Sequence, residues 1–259
     1  MRYNISMIKI IAIGGGEIGR PGYPIETLAI DKEIIRLANK DKPNLLFIGT
    51  ASGDDRSYLR VIKNYYGKQL GCIVNELNLS AQPKEDDIKL AIDKTDIIYV
   101  GGGNTLKMMI NWRKFGLDKI IKNAANNKVF AGVSAGAICW FNYGLSDSRS
   151  FINKDKNLQY IKVHGLGLFS LVLCPHFDEE KSRQPALKHS LKHTSRVAIA
   201  LENCTALEIV GDTYRIISSK KDKVAYKAYW KKGKYSLDVI KPIKYFKPID
   251  LLTSITPED

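Results

Sequence analysis

The first half of the chain alternates short apolar runs with longer amphipathic stretches. The runs are Ile8–Ile13, Leu45–Ile48, Ile97–Val100 and Val129–Ala131, suited to strands, and a further strand is expected at Cys72–Leu77. Between them, apolar positions recur at helical spacing. Ile25–Asn39 places Leu28, Ile30, Ile34, Ile35, Leu37 and Ala38 on an inner side. A second helix carries Tyr58, Leu59, Ile62 and Tyr66, and a third runs from Pro83 to Ile92 with proline in its first turn. A fourth passes through Met108, Met109 and Trp112 until Gly116 stops it, and Leu117–Asn126 returns the chain to the next strand. This alternation predicts an α/β fold: a doubly wound, mostly parallel sheet with helices on both faces. Beyond Phe141 the pattern loosens, and 142–166 reads as loop. Leu171–Cys174 is apolar, 179–194 suits a polar helix, and short antiparallel strands are expected at Val197–Leu201, Ala206–Val210, Tyr214–Ile217, Lys223–Tyr229 and Tyr235–Ile240. The tail after Lys241, with Pro242, Pro248 and Pro257, reads as irregular.

Composition narrows the class. At 259 residues, 44% hydrophobic and 26% charged, the chain is an ordinary globule able to bury a full core. One domain over 1–259 is expected, with a core at about 8–218 and a lysine-rich β-type extension at about 219–259. No apolar run reaches the roughly 18–20 residues that span a bilayer, and Ile8–Ile13 is too short for a secretory signal. The cytoplasm is the expected compartment. The four cysteines, Cys72, Cys139, Cys174 and Cys204, form no C-x-x-C pair, so buried reduced thiols are expected rather than zinc or redox chemistry. The net charge is +13, but its lysines are spread along the chain and thicken only at 220–223 and 231–234, as on solvated hairpin edges. That distribution disfavours a specific nucleic-acid site.

The candidate chemistry sits at Gly132-Val133-Ser134-Ala135-Gly136, a G-x-S-x-G turn between a strand and a helix-compatible stretch, Ala137–Phe141. Small residues around Ser134 relieve crowding at such a turn and leave the hydroxyl clear at the strand's carboxyl end. Two further glycine-rich stretches, Gly14–Gly16 and Gly101–Gly103, also follow strands, where ligands of such sheets bind. Gly14, Gly16 and Gly19 satisfy G-x-G-x-x-G, but Arg20-Pro21-Gly22-Tyr23-Pro24 forbids the immediate helix that a dinucleotide needs. No cofactor is expected, and the loop is read as a cleft wall. Amides of Gly102 or Gly103 with that of Ala135 could form an oxyanion hole.

A serine nucleophile needs a base, and the chain has four histidines. His176 follows an apolar strand and Pro175, which makes it the candidate. His189 and His193 share a helix face among Lys188, Lys192 and Arg196, with no ligand spacing for a metal, and His164 reads as a loop residue. The acid that would fix the imidazole is expected at Glu202, after the strand Val197–Leu201, with Asp178 as the alternative. The order serine, histidine, acid departs from the Ser-Asp/Glu-His order of lipase-like hydrolases.

Gly101-Gly102-Gly103-Asn104-Thr105, Gly132–Ala137 and Pro175-His176-Phe177, in that order, resemble the peptidase E family, which includes aspartyl dipeptidases and is related to cyanophycinase. The resemblance covers about Ile8 to Val210. It implies the flavodoxin-like fold of class I glutamine amidotransferases, in which the elbow residue is cysteine. Here Ser134 occupies the elbow and Cys139 lies in the following helix, which disfavours ammonia transfer from glutamine. The resemblance implies Ser134 as nucleophile, His176 as base and Glu202 as acid. It also suggests Arg183 as a clamp for an aspartyl carboxylate, with Asn104 and Thr105 in the substrate-binding loop. The implied activity is hydrolysis of small peptides, Asp-Xaa dipeptides among them. Its partners would be the peptide and at most a second copy of the chain, without a membrane or specific nucleic acid. Action on a non-peptide amide, or a basic binding module with a vestigial elbow, are the alternatives.

Overall fold

The computed structural model describes residues 8–124, 128–150, 160–179 and 181–255. Five strands form the parallel part of a main sheet: β1 (Lys9–Ile13), β2 (Asn44–Ile48), β3 (Ile73–Leu77), β4 (Ile97–Val100) and β5 (Val129–Val133). The connecting helices are α1 (Leu28–Ala38), α2 (Arg56–Ile62), α3 (Glu85–Asp93), α4 (Thr105–Lys114) and α5 (Leu117–Asn123). The chain then turns through α6 (Ala135–Ile138) into a second sheet built from β6 (Phe141–Ser146), β7 (Ile161–His164), β8 (Phe169–Cys174) and, after α7 (Arg183–Leu191), β9 (Ala198–Leu201). β10 (Thr205–Val210) and β11 (Thr213–Ser218) return to the main sheet, β12 (Ala225–Lys231) and β13 (Lys234–Ile240) complete the second, and β14 (Lys247–Pro248) and α8 (Asp250–Thr253) follow. The main sheet has the order β14-β11-β10-β1-β5-β4-β2-β3, and the second β13-β12-β9-β8-β6-β7. This is the expected flavodoxin-like, doubly wound α/β architecture.

The period of two along each strand builds the layers. Ile11 and Ile13 of β1 join Ile30 and Ile34 of α1 and Leu59 and Ile62 of α2 on one face. Ile10 and Ala12 point the other way, toward Ile88, Met108 and Trp112 of the opposite helices. The second sheet closes over that same core with Leu171, Leu173, Ile199 and Leu201. Its far face, carrying Val172, Cys174, Ala198 and Ala200, packs under Leu187 and Leu191 of α7.

Three sequence expectations are corrected. The stretch after the elbow is helical for only one turn, because Phe141 already enters β6. The region 142–166, read as loop, contributes β6 and β7 as far as it is described. The C-terminal strands do not form one antiparallel group: they are divided between two sheets, and β9 runs parallel to β8. The expectation of helix at 125 and 126 lies outside the described residues. The four cysteines are buried free thiols. Among the described residues no helix is long and apolar enough to cross a membrane.

Candidate active site

Register brings the glycine-bearing strand ends to one rim. Ile13 lies opposite Val133 and Val100 opposite Gly132, so Gly14, Gly102 and Ser134 leave their strands at neighbouring levels. Ser134 sits at φ 57°, ψ −111°, a backbone conformation that costs an L residue of order 1–3 kcal/mol. Its N–H donates to the Ile13 carbonyl at 3.1 Å, which pins the turn to β1. A Cβ on Gly136 would lie 2.0 Å from the Val100 carbonyl oxygen, so the turn closes against β4 only with glycine there. With four residues, α6 supplies amide donors rather than a helix dipole.

Ser134 and His176 line one cavity of about 1120 Å³. Its walls include Gly102 and Gly103, the loop from Gly16 to Pro24, and Tyr58 of α2. The loop thus forms the cleft wall expected of it, and α1 opens only at Leu28, far too late to receive a pyrophosphate at Gly14–Gly16. Among the described residues no hydrogen bond joins Ser134 to His176.

His176 follows β8 at φ 145°, a second strained position on the cavity wall. Its Nδ1 lies 2.9 Å from Asn203 Oδ1. The Asn203 side-chain amide donates to Glu179 Oε2 at 2.9 Å, and its backbone N–H donates to Asp178 Oδ1 at 2.9 Å. Asp178 is itself paired with Lys223. These bonds fix the tautomer. An ionised carboxylate only accepts, so the amide nitrogen of Asn203 must face Glu179 and its oxygen must face His176. Nδ1 therefore carries the proton and Nε2 is left bare. Glu179 Oε2 also lies 3.6 Å from Nδ1. Burial holds His176 below the usual imidazole value, partly offset by the bond to Asn203, so the ring is neutral near pH 7. A Cβ on Gly15 would lie 2.0 Å from Asn203 Oδ1 and 2.5 Å from His176 Nδ1. The glycine run after β1 thus gives the pair its room.

Glu202, expected as the acid, makes no hydrogen bond to His176 among the described residues. Its carboxylate accepts from the Val224 N–H at 3.1 Å and the Tyr226 hydroxyl at 3.0 Å. Residue 202 follows β9 on the side of Ala198 and Ala200, and β12, the neighbouring strand of the same sheet, brings Val224 and Tyr226 beside it, so the carboxylate is taken there. Asp178 is likewise spent on Asn203 and Lys223.

Of the two glycines expected as oxyanion donors, Gly102 borders Ser134: a Cβ there would stand 3.5 Å from Ser134 Cβ. Its N–H donates to the Tyr58 hydroxyl at 3.4 Å. Gly103 also lines the cavity, and Ala135 is the first residue of α6. Arg183, expected as a carboxylate clamp, is 2% exposed and stacks over the Tyr160 ring at 4.9 Å. It is absent from the cavity wall, where the cations are Arg20 and Arg60. Asn104 is also off the wall: it caps α4 through the Lys107 N–H at 2.9 Å and donates to the Ser148 carbonyl at 3.1 Å. Thr105 is buried and accepts from Ser146 at 3.1 Å. Both hold the loop that carries the glycines. Among the described residues no group of three or more His, Cys, Asp and Glu side chains is placed to hold a metal ion. Sequence reasoning missed Asn203, Glu179 and Tyr58.

A strained serine at the strand-to-helix turn of a doubly wound sheet, sharing a cavity with an oriented neutral imidazole, defines an enzyme of the serine hydrolase class. Residues 10–217 match Peptidase family S51, and the chain belongs to that family, the peptidase E family. It is 34% identical over 245 residues to "Uncharacterized peptidase YgaJ" of Bacillus subtilis, spanning 92% of this chain and 99% of that protein. It is 30% identical over 155 residues to "Uncharacterized peptidase Lin0382" of Listeria innocua, 57% of this chain and 73% of that one. The crystal structure of a peptidase from an acI-B1 Actinobacterium has the same fold, with a TM-score of 0.68 over 96% of this chain and 100% of its own, at 18% identity.

Proposed function

We propose that the chain is a cytoplasmic serine peptidase that cleaves small peptides, Asp-Xaa dipeptides among them, through an acyl-enzyme on Ser134. The observation that carries this reading is the chain of hydrogen bonds from Glu179 through Asn203 to His176 Nδ1. It leaves Nε2 as the base on a cavity wall that Ser134 shares. The triad proposed is Ser134, His176 and Asn203, with Glu179 orienting the amide. A direct bond between hydroxyl and imidazole closes when substrate binds, as resting sites of this kind are often loose. His176 Nε2 takes the Ser134 proton as Oγ attacks the carbonyl. Asn203 Oδ1 accepts the Nδ1–H throughout, and the Glu179 charge stabilises the imidazolium. The imidazolium then protonates the leaving amine. Water, deprotonated by the same nitrogen, releases the acyl group.

The cavity wall carries both signs of charge, with Arg20 and Arg60 beside Glu17, Glu26 and Glu179. Such a wall suits a short zwitterionic peptide. With Arg183 buried off the cavity wall, Arg20 and Arg60 are the cations proposed to meet a substrate carboxylate. The test is a dipeptide panel, Asp-Xaa members included, assayed for released amino acids with the wild type and Ser134→Ala. Release by the wild type that is abolished in the variant is the expected result. Release that survives in Ser134→Ala, or no release from any peptide, would defeat the reading.

A further inference from the structure

Tyr58 has no part in the triad, yet it touches the backbone that borders the nucleophile. Asp55 starts α2 by accepting from the Ser57 and Tyr58 N–H groups at 2.6 and 2.9 Å, which fixes where the ring departs. The ring packs edge-on against Phe47, with centroids 5.1 Å apart. A Cβ on Gly101 would meet Tyr58 Cε1 at 2.8 Å, so the glycine admits the ring at the end of β4. Its hydroxyl oxygen accepts from Gly102 N–H. Burial pushes the phenol up to about 12, so it keeps its proton at any working pH. Among the described residues nothing accepts that proton, and Tyr58 lines the cavity that Ser134 lines.

We propose that Tyr58 is a catalytic residue whose hydroxyl donates a hydrogen bond to the substrate oxyanion, with Gly102 acting behind it. A phenol that accepts from an amide is polarised by that bond and becomes a better donor. The Gly102 N–H is directed at the phenol, so in this arrangement it reaches the oxyanion through Tyr58, and Ala135 N–H makes the direct backbone contact. The hydroxyl hydrogen-bonds the negative oxygen as the tetrahedral intermediate forms and relaxes back when the carbonyl returns. No bond to Tyr58 is made or broken.

This inference rests on the acyl-enzyme reading, and its test separates the two. The variant Tyr58→Phe keeps the ring and its packing on Phe47 and removes only the hydroxyl. Dipeptide kcat should fall about 10²-fold, the effect of losing one oxyanion donor. KM should stay within about threefold, since the missing bond is made in the transition state. A peptide boronate should lose affinity in parallel with kcat, while the acid limb of the pH profile and the thermal midpoint stay in place. Unchanged kcat, or a loss confined to KM, would overturn the inference. Labelling of Ser134 by a fluorophosphonate covers the case in which the dipeptides are not the substrates. A labelled wild type without peptide turnover overturns the peptide reading alone. The labelling rate then decides the role of Tyr58: about 10²-fold slower in Tyr58→Phe if it donates to the oxyanion, unchanged if it does not. A wild type neither active nor labelled overturns both.

Discussion

Asn203 and Glu202 are chain neighbours with opposite assignments, and the difference decides how the imidazole works. Asn203 touches His176 Nδ1, whereas Glu202 is held by Val224 and Tyr226 on the other side of the chain. Asn203→Ala should therefore lower kcat by about 10²–10⁴-fold, the range for losing the group that sets a catalytic tautomer, and Glu202→Gln should stay within about threefold. Equal losses in both variants would return the orienting role to Glu202. The pH profile is a second readout. His176 acts as a base only when neutral, so kcat/KM is lost as pH falls through its pKa. Burial depresses that pKa, and the acid limb should lie below the ordinary imidazole value of about 6.5. Asn203→Asp sets a carboxylate against the ring, favours the imidazolium and should move the limb upward. A limb that does not move would detach Asn203 from the base. Ser134 and His176 were legible in the sequence because each follows an apolar run with a turn residue beside it. Asn203 was not, because an amide carries no acid signal, and only the turn after β9 sets its side chain on His176 while that of Glu202 goes to Val224 and Tyr226.

Elements dock through polar contacts that periodicity does not reveal. The inner face of α1 was expected from Leu28, Ile30 and Ile34, yet Leu28 is 41% exposed and Asp31 fully buried. Asp31 accepts from Thr27 at 2.7 Å, Tyr65 at 2.8 Å and Tyr66 at 2.6 Å, the tyrosines lying on a π-helical stretch, Lys63–Gln69, after α2. One carboxylate thus joins two elements on the same face of the sheet. The cost is set by burial, which raises its pKa from 3.8 to about 6 despite the three bonds. Between those values the folded chain holds a proton that the unfolded chain has released, so stability falls as pH rises through the window. The loss is about 3 kcal/mol, two pH units at about 1.4 kcal/mol each. Unfolding free energies of the wild type and Asp31→Asn, measured by denaturant from pH 4 to pH 7, should diverge by that amount up to about pH 6 and then run parallel. Curves parallel throughout would mean that Asp31 is not protonated in the fold. β1, β2, β4 and β5 were legible because burial on both faces makes them nearly continuous apolar runs. β6 and β7 were not, since Asn142, Tyr143 and Gly144 give neither a period of two nor an apolar run.

At the scale of the molecule, the proposed catalytic groups belong to different sheets, and their alignment depends on what locks the sheets together. Ser134 leaves the main sheet at the end of β5, whereas His176 and Asn203 follow β8 and β9 of the second. The elbow is one link, running through α6 into β6. The C-terminal tail, which reads as irregular from its prolines, is another. β14 pairs with β11 of the main sheet. Immediately after it, the Leu251 carbonyl accepts from Lys227 Nζ of β12 at 2.7 Å, and Leu252 is fully buried in the core that the two sheets share. β12 in turn lies against β9, and the Val224 N–H before it holds Glu202, one residue from Asn203. Leu252→Ala removes a buried side chain and should cost about 2–5 kcal/mol, read as a lower denaturant midpoint. Its effect on catalysis should follow the route through β12 and β9 to the imidazole. Below the transition midpoint, kcat should fall and the acid limb of the pH profile broaden, while fluorophosphonate still reaches Ser134. A variant that loses stability but keeps wild-type kcat and pH profile would show that α6 and β6 alone hold the two halves of the site in place.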